Sequence, residues 1–114
     1  IVPYTCFSSV KSYFEDNKDK LKKFTTAIKK GLDYINNTET NKIIEYLKPS
    51  FQTSKDDEIE AVINNYKKIE AWPNKLGFTK ENFTKLIDIV KEAGELDKDT
   101  TIPYDKLVTN EMID

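Results

Sequence analysis

The stretch Lys18-Asp-Lys-Leu21-Lys-Lys-Phe24-Thr-Thr-Ala27-Ile28-Lys-Lys-Gly31-Leu32-Asp-Tyr34-Ile35-Asn36 decides the fold class. Leu21, Phe24, Ile28, Leu32 and Ile35 recur every three or four residues, so a helix places them on one face. The lysines and aspartates between them fall off that stripe. Gly31 interrupts the pattern at a cost of about 1 kcal/mol relative to alanine. Close approach of a neighbouring helix or strand would justify it. Asn36-Asn37 ends the helix.

The same period returns on either side. A short segment covers Ser9–Phe14, with Val10, Tyr13 and Phe14 as its apolar side. Glu39–Leu47 turns Ile43, Ile44 and Leu47 inward, and Pro49 stops it. Phe51 is expected to fold back onto that helix. A fourth helix opens at Ser54, where Ser54-Lys-Asp-Asp57 is close to a capping box. Asp56, Asp57 and Glu58 then sit in a first turn that favours acids. Its stripe is Ile59, Val62, Ile63, Tyr66 and Ile69. Trp72-Pro73 begins a loop that reaches Phe78. Thr79 caps a helix over Lys80–Ala93 that turns Phe83, Leu86, Ile87 and Val90 inward, and Gly94 closes it. After the polar stretch Glu95–Thr101, Ile102-Pro103-Tyr104 introduces a last short turn with Leu107 and Val108. Asn110–Asp114 reads as a loose tail.

Only Ile1–Phe7 reads as a strand, β-branched and aromatic, with Pro3 confining it to an edge. A lone strand is not stable without a sheet. The expected architecture is therefore predominantly α, about five helices plus one N-terminal strand. Residues 1–114 form a single segment without repeat or linker. The orphan strand and the abrupt opening Ile1-Val2-Pro3-Tyr4 both suit a piece of a longer chain.

Composition narrows the chemistry. Of the 114 residues, 33% are charged and 38% hydrophobic. Ordinary domains carry about 25% charge. All 18 basic residues are lysines, and histidine is absent. Ser-His-Asp and Cys-His catalysis are excluded within this chain, as are histidine-containing zinc sites and an arginine finger. A net charge of −2 lacks the basic excess of a nucleic-acid partner. No apolar run approaches the roughly 20 residues of a membrane span. Cys6 is the one cysteine, so no intramolecular disulfide forms. Its neighbours Tyr4, Phe7 and Val10 predict a buried, inert side chain.

The remaining constellations read as structure. Lys18, Lys20, Lys22, Lys23, Lys29 and Lys30 are interspersed with Glu15, Asp16, Asp19 and Asp33, as on a solvated face. Asp56-Asp57-Glu58 lacks the alternation of a calcium loop. Glu95, Asp97 and Asp99 do alternate, but the glycine and closing glutamate of such a loop are missing. Trp72 reads as a loop anchor, with stacking on a ligand ring as its alternative. Tyr4, Tyr34, Tyr46 and Tyr104 read as core or rim groups, with a pocket role as their alternative. The expectation is no enzyme, no metal and no cofactor.

Some segments taken together resemble a known family. They are Pro3-Tyr4-Thr5, Tyr13-Phe14-Glu15-Asp16-Asn17, Lys23-Phe24 through Ala27, and Lys30-Gly31-Leu32-Asp33-Tyr34. Tyr66-Lys67, Trp72-Pro73, Leu76, Thr79 and Phe83 follow in order. The clearest are Ile89-Val90-Lys91-Glu92-Ala93-Gly94-Glu95-Leu96-Asp97 and Ile102-Pro103-Tyr104-Asp105-Lys106-Leu107-Val108-Thr109-Asn110. The chain resembles the C-terminal segment of extracytoplasmic substrate-binding proteins of ABC importers. The branch is the nitrate, sulfonate and taurine type, which includes binders of thiamine-pyrimidine precursors.

The resemblance implies a fragment of a two-lobed α/β periplasmic-binding-protein fold that closes on a small organic solute and delivers it to an ABC permease. It implies an extracytoplasmic location, periplasmic or as a cell-surface lipoprotein. Most ligand contacts in this family lie upstream of the matched part, so Tyr4 and Thr5 at the strand edge are the only ligand-binding candidates. An unpaired strand would also permit a strand-swapped homodimer. A different class of function stays open beside this one: an independent helical domain that docks a partner protein through its apolar faces.

Overall fold

Among the described residues, six helices and one 3₁₀ turn follow one another: α1 (Lys11–Asp16), α2 (Lys18–Asn37), α3 (Thr40–Leu47), the 3₁₀ turn Lys48–Ser50, α4 (Asp56–Lys68), α5 (Lys80–Glu92) and α6 (Tyr104–Leu107). This computed structural model describes residues 5–113. The chain divides into two compact units, Thr26–Leu76 and Ile1–Thr25 with Gly77–Asp114.

The expected N-terminal strand is corrected. Among the described residues there is no strand. Thr5, Cys6 and Phe7 are exposed and without regular structure, and Ile1–Tyr4 lie outside the described residues. A strand must pair its backbone N–H and C=O groups with a neighbour, and no sheet is present among the described residues to supply one. The α/β character and the strand that a swapped homodimer would exchange are therefore not seen. Cys6 is exposed rather than a core filler, because no element covers it.

The unit Thr26–Leu76 is built on three isoleucines. Ile43 of α3 is 1% exposed and Ile63 of α4 is 2% exposed, with Ile59 beside them. Ile35, Ile44, Leu47 and Trp72 pack against this cluster. Burying one such side chain contributes about 1.5–3 kcal/mol. Polar tethers hold the connections around it. Lys67 Nζ donates to the Thr38 carbonyl at 2.7 Å, Thr40 Oγ1 to Asn64 Oδ1 at 2.9 Å, and Asn36 Nδ2 to the Pro73 carbonyl at 3.4 Å. Lys48 Nζ donates to the Ser54 carbonyl at 2.8 Å and to Asp56, which joins the 3₁₀ turn to the start of α4.

Two expected details shift here. The capping register moves one residue on from Ser54. The Lys55 N–H donates to Glu58 Oε2 at 2.9 Å, while the Ser54 N–H is taken by the Phe51 carbonyl at 3.1 Å. Phe51 itself is exposed rather than folded fully onto α3.

In the other unit Phe83 of α5 is the hydrophobic side chain buried among the described residues. Its ring lies edge-on to Phe78 at 5.9 Å and to Tyr104 at 5.6 Å. Thr79 caps α5 as read from sequence, its Oγ1 accepting the Asn82 N–H at 3.2 Å. Gly94 closes the helix at φ 79°. The Glu95 N–H reaches the Val90 carbonyl and the Gly94 N–H the Lys91 carbonyl, both at 3.1 Å. That pair is a Schellman closure. Asn110 and Glu111, expected in a loose tail, are anchored. Asn110 Oδ1 accepts the Phe78 N–H at 3.0 Å, and its Nδ2 donates to the Phe78 carbonyl at 3.3 Å and to the Tyr104 hydroxyl at 3.0 Å. The Tyr104 hydroxyl in turn donates to the Phe78 carbonyl. Lys18 Nζ meets Glu111 Oε1 at 2.8 Å.

The sequence overestimates burial. No residue of α2 is buried. Its stripe is half covered at Leu21, Ile28, Leu32 and Ile35, and Phe24 is exposed. Nothing lies within 4 Å of where a Gly31 Cβ would sit, so the close contact expected there is absent.

Three stability changes follow. Ile63→Ala removes a buried side chain at the centre of the α3–α4 contact, and should cost about 2–5 kcal/mol. Urea denaturation followed by the fluorescence of Trp72, which packs on that cluster, reads the loss. Gly31→Ala fills open space inside a helix and should stabilise by about 1 kcal/mol. The third change lies at the end of α4. There Glu70 adopts φ 52°, while the Ala71 N–H bonds the Tyr66 carbonyl at 2.9 Å and the Glu70 N–H the Lys67 carbonyl at 3.1 Å. This is the same closure as at Gly94 with a side chain where glycine is favoured. Glu70→Gly should therefore raise stability by about 1 kcal/mol, measured by the same urea denaturation.

Candidate functional site

Of the two residues singled out as ligand candidates, Thr5 alone falls among the described residues. Thr5 is exposed on a segment without regular structure, and Tyr4 lies outside the described residues. The other constellations are built into helix ends and turns, which accounts for their charge.

In the acidic run at the start of α4, each carboxylate has local work. Asp56 is paired with Lys48, Asp57 Oδ1 accepts the Glu58 N–H at 3.1 Å, and Glu58 caps Lys55. Acids there also face the positive end of the helix dipole. Near the alternating acids after α5, the Thr100 N–H bonds the Asp97 carbonyl at 3.0 Å, forming a turn. Among the described residues no group of three or more His, Cys, Asp or Glu side chains could hold a metal ion.

At the lysine-rich start of α2, Lys18 is engaged with acids. Lys18 lies 3.3 Å from Glu15 and 2.8 Å from Glu111, and 5.6 Å from the Phe14 ring centroid. The hydrogen bond to Glu111 raises the Lys18 pKa. Its contribution to stability is present below the unfolded value and fades as pH rises through the folded one. On α5, Lys85 Nζ sits 2.8 Å from Glu81 Oε1, one helical turn away. That hydrogen bond holds the Glu81 carboxyl below its ordinary range. The sign is opposite: the contribution is present above the unfolded value and is lost as pH falls through the depressed one. Both pairs are solvent-exposed, so salt screens them.

The aromatic residues divide into anchors and exposed groups. Trp72 anchors the loop after α4, its ring 5.3 Å from Tyr66 and packed on the isoleucine cluster. Tyr104 belongs to the Phe78–Asn110 clasp. Tyr34 and Tyr46 meet edge-on at 5.4 Å, and Tyr46 is 77% exposed. Beside it an open depression is lined by Ile44, Glu45, Lys48, Pro49, Gln52 and Asp56. Of its three charged residues, Lys48 and Asp56 pair with each other.

What sequence reading missed is the extent of exposed apolar surface. Phe7 is 75% exposed, and Val10, Tyr13 and Phe24 are exposed in the same unit. Along α4 and its C-cap, Val62 is 54% and Ile69 61% exposed, with Tyr66 between them on the same side. The spacing i, i+4, i+7 makes these three one stripe, adjoining the buried pair Ile59 and Ile63. The width of the α4 stripe, five apolar positions in eleven residues, was the available signal. The arrangement offers surfaces for packing and binding, and no constellation for general acid–base or nucleophilic work among the described residues.

The chain is similar to a Bacillus subtilis (strain 168) protein described as "Putative binding protein YtlA", with 34% identity over 111 residues. The match takes in 97% of this chain and 33% of that protein, so the chain spans about a third of the length of the curated relative it matches. No family model matches the chain. No solved structure matches it.

The Glu81–Lys85 pair gives a direct electrostatic check. In a carboxyl-detected NMR titration Glu81 should titrate below an ordinary glutamate. Lys85→Ala should return it to the ordinary range, and added salt should move the parent protein part of the way.

Proposed function

We propose that this chain is a helical part of an extracytoplasmic solute-binding protein. That protein captures a small organic molecule of the sulfonate, nitrate, taurine or pyrimidine-precursor class and passes it to the permease of an ABC importer. The observation that carries this reading is the collinear similarity of nearly the whole chain to a third of a protein named for binding. The residue pattern supports the narrower class, through the Trp72-Pro73 loop, the Ile89–Asp97 helix end and the Ile102–Asn110 turn.

The physical character of the segment agrees with such a role. Four hydrophobic side chains are buried among the described residues, while twelve large ones are exposed. Exposed side chains of that kind become stabilising when a larger body covers them. In this reading the helices serve as scaffold, and the ligand contacts come mainly from the rest of the longer protein. With lysine as the only basic side chain type in this segment, any bidentate clamp on an oxyanion is supplied there too.

The test is calorimetric titration of the longer protein from the source cells and of the 114-residue chain with taurine, an alkanesulfonate, nitrate and a thiamine-pyrimidine precursor. The longer protein should bind one class at micromolar Kd or tighter, and the isolated chain at least about 100-fold more weakly, a loss of about 2.7 kcal/mol. Absence of binding to all four classes by the longer protein, or equal affinity in the isolated chain, would overturn the reading.

A further inference from the structure

We draw no further inference here: the strongest candidate, the outward stripe of Val62, Tyr66 and Ile69 along α4 and its C-cap, is an unpartnered apolar face, and nothing in the structure shows what covers it.

Discussion

The contact between α3 and α4 through Ile43, Ile59 and Ile63 is the constraint on which the unit Thr26–Leu76 depends. Helices of 8 and 13 residues are marginal in isolation, because nucleation costs more than a few hydrogen bonds return. Removing these isoleucines from water supplies what propensity does not. The rest of the unit is arranged around that contact. Trp72 folds back across it, Lys67 draws in the Thr38 carbonyl, and Lys48 ties the 3₁₀ turn to the first turn of α4. In the other unit Phe83 has the same role on a smaller scale, with Phe78 and Tyr104 as its edge-on neighbours.

Backbone groups away from the helices are satisfied with economy. Asn110 presents its amide to Phe78 as a second peptide group would, accepting from the N–H and donating to the C=O. A β-ladder neighbour makes the same kind of exchange, here made by one side chain. The two Schellman closures, at Gly94 and at Glu70, are chemically alike and conformationally unequal, since glycine enters the left-handed region without steric cost. Charges are treated similarly. Asp57 and Glu58 bond backbone N–H groups at the start of α4, and Asp56 pairs with Lys48 of the preceding 3₁₀ turn.

These features bear on function through what they leave over. The chain has neither histidine nor arginine, and the acids that open α4 are engaged in caps and an exposed pair. Its exposed apolar side chains are distributed over both units. Nearly the whole chain is similar to about a third of a protein described as a putative binding protein.

Much of this was legible in the amino-acid sequence. The 3.6-residue period of Leu21 to Ile35 located α2 to within a residue, and Thr79 and Gly94 marked the ends of α5. These features rest on local terms: dihedral preference, i to i+4 hydrogen bonding and the orphan groups of a helix end. The absence of histidine chemistry is equally a property of the sequence alone. Tertiary structure decided the rest. Ile63 is buried and Val62 beside it is not, because α3 covers one half of a stripe that looks uniform in sequence. Asn110 is a clasp rather than a tail residue because Phe78, 32 positions away, presents its backbone. The segment Thr5–Phe7 has strand-forming side chains and no strand, since a ladder needs a partner that the sequence of one strand does not encode.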